Sequence, residues 1–539
     1  MIGIVSNRQS AADYDDDMQR AKAIGIDAFA LNIGVDPYTD AQLALAYESA
    51  ANNDMKVFIS FDFNWYKDTS DASRVGQMAA KYGALPAQLK VDGKVFISSF
   101  AGDALDVATV RASAGVDLYV APNFHPGMGD FDQLDGALNW MGWPSDGNNK
   151  APKDGKEVTV EAGDKEYLQT LNGKGYIAPV SPWFSTHFGS EVPYSKNWVF
   201  PGDLLWYNRW NEILDLKPNF IEIVTWNDYG ESHYIGPLHS PHTDDGGSKW
   251  VNDMPHGGWL DMAIPYIKAY KAGSTDVSQF ITEDQVIYWY RRTPKDVNCD
   301  ATDTTMGPAD NTTGNYFEGR PDGFEIMNDS VFVVPLLTAA GQVSVNSGGT
   351  LYTFDAPAGA SSFEVPMGLG TQAFALSRGG SEVLSEVSLM PITDECPCGI
   401  YNFNAYVGTV PAPKTVDSLQ TVALQMFSNG LKAACDPTPT LAAAQPPATA
   451  APTATSTVAG GAPAPTSPPT TAEPSPPVTT AIPTEPSPPV TTSDAPAPTS
   501  TEPAPAPSES CLMPEPAESG KPKRRVLSIG RFHIEIDDE

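Results

Sequence analysis

A chain of 539 residues with 33 Lys and Arg against 66 Asp and Glu carries a formal net charge of −33. It is too long for one ordinary core and too acidic to be drawn to phosphate backbones, which excludes nucleic acid as a partner. It has no apolar run of about 18 residues, which excludes a membrane-spanning helix.

Residues 1–280 alternate apolar runs with amphipathic ones. Strands are expected at 2–6, 26–33, 56–62, 94–98, 116–121, 176–181 and 220–226, and helices near 13–24, 40–52, 72–82, 103–113, 203–215 and 259–271. Most of the strand runs are continuously apolar, as parallel strands covered on both faces are. Asp13, Asp15, Asp16 and Asp17 open the first helix, where negative charge is favourable. Repeated β-α units predict an α/β fold with a (β/α)8 TIM barrel as the catalytic part. Seven strands can be read; Val286–Tyr290 either supplies the eighth or opens the next domain. The connection from 122 to 175, rich in Gly, Asn, Asp and Trp, reads as an insertion on the substrate side.

From 281 to 410 short alternating strands, at 331–337, 342–346, 350–354, 362–366 and 371–376, predict an all-β sandwich as an accessory domain. A short helical segment is expected within 411–435, its helix over 414–433. Residues 436–510 are almost wholly Pro, Thr, Ser and Ala, and Glu473–Thr480 recurs at Glu485–Thr492. Such a composition cannot bury a core, so a disordered linker of the O-glycosylated kind is expected. The tail 511–539 has no assigned role.

The five cysteines all lie beyond residue 298. Cys299, Cys396, Cys398 and Cys435 can form two disulfides in three pairings, with Cys511 left over. Cys396 and Cys398 lack the second pair or nearby His of a zinc site. Met1–Val5 already reads as a buried strand, so a targeting segment is expected upstream. With glycosylation-type sites at Asn311 and Asn328, this points to a secreted protein.

Barrel chemistry gathers where the strands end at their C-termini. The third expected strand ends in Asp62, Asn64 and Trp65, the fifth is followed by His125, and the sixth ends in Trp183. The seventh runs into Trp226-Asn227-Asp228-Tyr229-Gly230-Glu231, with His233 close behind. Cleavage of a glycosidic bond needs two carboxyl groups, one to protonate the leaving oxygen and one to attack or to activate water. Asp228 and Glu231, three positions apart, are the candidates, with Asp62 the third. Sugars offer flat apolar faces and hydroxyl rims, which aromatic rings and amides match. Trp65, Trp183, Trp226, Asn64, Asn227, Tyr229, His125 and His233 are therefore expected to hold substrate, with Trp140 and Trp143 as further platforms. Trp206 and Trp210, four apart on a helix, are expected to pack. A rival metal-hydrolase reading rests on His233, His239, His242 and His256 with Asp244, Asp245 and Asp253, all in Gly- and Pro-rich loop. No metal and no cofactor is expected. There is neither a phosphate-binding Gly loop after a strand nor a G-x-S-x-G elbow.

Met1–Asn7, Phe61-Asp62-Phe63-Asn64-Trp65, Val180–Phe184 and Trp226–Ser232 together resemble glycoside hydrolase family 71, the fungal α-1,3-glucanases or mutanases, over roughly residues 1–410. The resemblance implies a barrel with a β-sandwich, endo attack on α-1,3-glucan and inversion at the anomeric carbon. It implies Asp228 and Glu231 as catalytic residues. Glu231, on the longer side chain, is the expected acid and Asp228 the expected base. The expected partner is α-1,3-glucan polysaccharide, met by a secreted, wall-associated monomer.

Overall fold

Apolar runs that leave neither face to water become the interior strands of sheets. A computed structural model describes residues 1–3, 5–147, 150–153, 156–188, 196–240, 246–303, 319–413, 417–418 and 440–441, and the backbone of 242–244, 424–426, 524–529 and 532–537. The first part of the chain holds β1 (Ala28–Ile33), β2 (Lys56–Asp62), β3 (Lys90–Val91), β4 (Lys94–Phe100), β5 (Leu118–Val120), β6 (Gly136–Leu138), β7 (Gly175–Val180), β8 (Ser185–Phe188), β9 (Lys196–Val199), β10 (Phe220–Ile223) and β11 (His242–Asp244). β1, β2, β4 and β5 pair in parallel in that order, and so do β6, β7 and β10. Backbone bonds bridge the two groups: Asp135 N donates to Val120 O and Leu138 N to Pro122 O. On the other side Met1 lies against the end of β10, its N donating to Ile223 O. Trp226 N donates to Met1 O, and Ile2 N to Ala30 O of β1.

The helices are α1 (Asp15–Ile24), α2 (Thr39–Asn52), α3 (Ala72–Gly83), α4 (Val107–Ala114), α5 (Val160–Leu171), α6 (Leu205–Leu216), α7 (Ser248–Val251) and α8 (Gly257–Lys271). Asp15, Asp16 and Asp17 occupy the first turn of α1, where the helix end is positive. α6 buries Trp206, Trp210, Ile213 and Leu214, one stripe at helical spacing, so the first two are packing residues. α5 starts at Thr159, whose side chain accepts from Ala162 N, and stops at Asn172 in the left-handed region.

The stretch 122–175 thus contains both a strand and a helix. β6 escapes a sequence reading because it is three residues long and begins with glycine. That glycine is required: a Cβ on Gly136 would stand 2.6 Å from Gly175 O across the β6–β7 pair.

The second part is β-rich. β12 (Gln285–Arg291) pairs antiparallel with β13 (Ser330–Leu337) and, across the chain, with β20 (Ala405–Val410). β14 (Gly341–Ser347), β15 (Thr350–Ala356), β18 (Gln372–Arg378) and β19 (Ser381–Val387) form a second antiparallel sheet in the order β15-β14-β18-β19. β16 (Gly359–Ala360) and β17 (Phe363–Pro366) pair with β13. Val286 and Tyr288 join Val331, Val333, Val343, Val345 and Phe374 in one core, whereas Ile287 and Trp289 turn the other way, into the core that holds Trp206 and Trp259. Burial on both faces is why Val286–Tyr290 imitates a parallel strand in the sequence. It belongs to the antiparallel part.

Cys299 is bonded to Cys396, and Cys398 is also in a disulfide. Cys435 and Cys511 lie outside the described residues. The expected helix over 414–433 is overturned where it is described: β21 (Leu424–Met426) is extended and pairs with β11, whose edge supplies ladder bonds that a short lone helix lacks. Within the stretch expected to be linker, Thr440 N donates to Asp253 Oδ1 over 2.9 Å. In the tail, β22 (Arg524–Ile529) and β23 (Phe532–Asp537) form an antiparallel pair, and β23 adds to β3. Among the described residues no helix is long and apolar enough to cross a membrane.

Candidate active site

Beyond Ile223 the chain turns back on itself. The Val224–Thr225 peptide is cis, Tyr229–Glu231 makes a single 3-10 turn, and Ser232 takes a left-handed backbone with φ 62°. These turns aim Asp228, Glu231 and His233 at one space, where an oxygen of each carboxylate and a ring nitrogen lie within 4.8 Å of one another.

Their hydrogen bonds form a directed chain. Asp228 N donates to Thr225 Oγ1 over 2.9 Å, which leaves the Thr225 hydroxyl hydrogen for His233 Nδ1 at 3.1 Å. His233 Nε2 then carries the proton and donates to Glu231 Oε2 at 2.7 Å. Burial lowers the His233 pKa to about 4, so the ring is neutral in mild acid. Trp143 and Phe184 flank it, with ring centroids 5.2 and 5.7 Å away.

The other oxygen of Glu231 accepts from Lys196 Nζ, the side chain that opens β9. The chain brings its own cation to this acidic group. Among the described residues no other three His, Cys, Asp or Glu side chains converge in this way. Asp228 is the more open carboxylate, its side chain 35% exposed against 14% for Glu231.

Asp62, at the end of β2, belongs to the same electrostatic neighbourhood. Burial pushes its carboxyl up to about 6, against the Asn64 N–H bond and the pull of the Lys196 ammonium. Trp65, one turn on, is 48% exposed and presents an open ring, with Tyr38 exposed beyond β1. Asn64 is exposed as well. His125 stands out on the loop after β5, its Nδ1 2.9 Å from Asp103 Oδ2.

Four expected substrate ligands are buried. Trp183 and Trp226 are 1% and 2% exposed, with no ring face left for a sugar. Their indole N–H groups donate to Phe403 O and Asp17 Oδ1. Tyr229 is buried with its hydroxyl on Pro237 O, and Asn227 Oδ1 accepts from Gly3 N. Trp143 is likewise interior. A strand end in a tightly packed α/β part is an aromatic core position as readily as a platform, and the sequence pattern is the same for both.

Among the described side chains the rival histidine cluster does not assemble, those of His242 and Asp244 lying outside the description. His239 faces Asp16 and Asp417, and His256 lies between Tyr234 O and Ala405 O. Asp253 accepts from Thr440, and Asp245 is outside the described residues. Sequence reasoning missed Lys196 and Thr225. Thr225 adjoins the singled-out segment and could have been suspected. Lys196 carries no local signal, since only the β8–β9 hairpin brings it to Glu231.

Residues 1–420 match glycosyl hydrolase family 71. The chain belongs to glycosyl hydrolase family 71. It is 41% identical over 415 residues to a protein named a mutanase from Penicillium rubens, covering 76% of this chain and 87% of that one. It is 35% identical over 420 residues to one named glucan endo-1,3-alpha-glucosidase from Schizosaccharomyces pombe, covering 74% and 91%. A solved GH99 endo-alpha-mannosidase from Bacteroides thetaiotaomicron superposes with a TM-score of 0.35 at 12% identity, over 49% of this chain and 80% of that one, too slight a likeness to bear on function.

Proposed function

We propose that this family 71 chain hydrolyses α-1,3-glucan, attacking within the polymer, as a secreted monomer that degrades or remodels fungal cell wall. The observation that carries the reading is the convergence of Asp228 and Glu231 at the end of β10. The relatives named for α-1,3-glucan cleavage support the substrate. The Cys299–Cys396 disulfide suits an oxidising, extracellular setting.

The same reading takes the parallel strands as one (β/α)8 barrel. The segment around Ile2, then β1, β2, β4, β5, β6, β7 and β10 make eight, and backbone bonds link each to the next and the last to the first. The β-rich part is then the accessory sandwich. The carboxyl groups emerge where barrel enzymes hold theirs.

In this scheme one carboxyl protonates the leaving oxygen while another activates water, with Trp65 and Asn64 holding sugar beside Asp62. Glu231 accepts from an ammonium and an imidazole N–H, which favours its ionised form. For Glu231 to act as the acid, its Lys196 contact has to open when sugar is bound. Inversion asks for about 6.5–9.5 Å between the acting carboxyl groups. The nearest Asp228 and Glu231 oxygens lie within 4.8 Å, so inversion needs this pair to open around a water or Asp62 to take one of the two roles.

The test is sugar release from α-1,3-glucan beside α-1,4- and β-1,3-glucan. Release from the first alone is expected. Tight binding to α-1,3-glucan without release would make the chain a glucan-binding protein instead.

A further inference from the structure

The β8–β9 pair is clamped at His187 and Asn197, one register step from Lys196. His187 Nδ1 lies 2.7 Å from Asn197 Oδ1, and His187 Nε2 lies 2.7 Å from Asp303 Oδ2, both inside the protein. Asp303 Oδ2 also accepts from Tyr401 N at 2.9 Å, and Asn197 Nδ2 donates to Gly319 O at 3.1 Å. Phe188, register partner of Lys196, is buried among Tyr229, Tyr234 and Trp250. Lys196 thus leaves a fixed piece of backbone, and its ammonium reaches Glu231 Oε1 across a sequence gap of 35 residues. Among the described residues, the ionisable groups around this contact are His233 and Asp228 on the β10 side and Asp62 at the end of β2.

We propose that Lys196 is a positioning residue for catalysis, whose ammonium sets the charge and the aim of Glu231. The inference rests on the reading of Glu231 as a catalytic carboxyl, and on its working ionised, as the base that activates water, with the acid role falling to Asp228 or Asp62. A neutral His233 on one oxygen gives direction without charge; Lys196 on the other supplies the charge. A cation at this distance stabilises the carboxylate over the acid, and removing it moves proton uptake by Glu231 to higher pH. Asp62 feels the same ammonium, so one side chain couples the end of β2 to the turn after β10.

The experiment compares Lys196→Met and Lys196→Arg in the full chain, after thermal melting has shown both folded. The Met variant is expected to lose kcat about 100-fold with KM within about threefold, and the Arg variant to regain at least about a tenth of wild-type kcat. One limb of the pH–rate profile of Lys196→Met should move up by about one unit. Difference infrared titration of the substrate-free protein, with Glu231→Gln to assign the band, should show Glu231 taking up its proton about one unit higher. A folded Lys196→Met with kcat within about threefold of wild type overturns the proposal. So does a loss carried wholly by KM, or a loss with the Glu231 titration unmoved. If the Met variant does not fold, Lys196→Gln is read by the same criteria. The infrared titration needs no substrate, so it judges the Lys196–Glu231 pair even if wild-type protein releases no sugar from α-1,3-glucan, a result that would sink the functional reading alone.

Discussion

His233 Nε2 lies 2.7 Å from Glu231 Oε2, on a ring with no solvent exposure. The contact fixes Glu231 only while His233 can donate. His233→Gln, which keeps an N–H donor, is expected to retain more activity than His233→Leu, which fills similar space without one. A loss of about tenfold for Gln and about 100-fold for Leu is expected in kcat. Equal losses would show that His233 serves only as packing between Trp143 and Phe184. Its pKa, lowered to about 4 from 6.5, also makes a stability prediction. The unfolded chain binds more protons between these values, so this group's contribution is complete above about 6.5 and lost as pH falls through 4. Melting temperatures of His233→Gln and wild type should therefore draw together, or cross, as pH is lowered across that window.

Asp228→Asn and Glu231→Gln should each lower turnover by about 10²–10⁴-fold while leaving the melting curve near wild type. Near-normal activity in either folded variant would remove that residue from the mechanism. Proton NMR of fresh product should show the β-anomer first, the sign of inversion. An initial α-anomer would mean retention, to which the close approach of the Asp228 and Glu231 oxygens is better suited. Azide rescue of Asp228→Ala, with rescue of Glu231→Gln by an activated leaving group, would make Asp228 the base and Glu231 the acid, the assignment that the family resemblance implies. The opposite pattern would exchange them.

Asp62 is held at a cost. Its pKa is raised to about 6, so the folded protein binds more protons than the unfolded chain between the ordinary carboxyl value of 3.8 and 6. The favourable contribution is present below 3.8 and is lost as pH rises through 6. Asp62→Asn should therefore raise the melting temperature at pH 7, by about 2 °C or more, and change it little at pH 4. Activity should fall at least about tenfold. A variant that is no more stable at pH 7 than wild type would show that Asp62 is well solvated.

Trp65 and Trp183 separate platform from core. Trp65→Ala should raise KM for α-1,3-gluco-oligosaccharides by about tenfold, as loss of a stacking face does, with the fold unchanged. Trp183→Ala should instead destabilise by about 3–5 kcal/mol, as emptying a packed interior does. Chemical denaturation and steady-state kinetics on both variants read the two effects apart. An unaltered KM in Trp65→Ala would take that ring out of the sugar site.

The α/β character of residues 1–280, the β-rich part after it and the carboxylates at the end of β10 were all legible in the chain. Each rests on local pattern: apolar runs of strand length, alternation of period two, a cluster of polar and aromatic types after a strand. Patterns failed where different tertiary settings produce the same residues. Val286–Tyr290 is apolar throughout because two cores share it. Trp183 and Trp226 look like sugar platforms, yet the core takes both rings. β6 is too short to have a period. Lys196 lies far along the chain from the acid it meets. A sequence records which residues prefer to leave water, and their spacing records the element they leave it on. Which buried face meets which, and which charge is carried against which, depends on contacts between distant segments. The Lys196–Glu231 pair and the covered faces of Trp183 and Trp226 were decided only when the hairpin, the turn after β10 and the second part of the chain packed together.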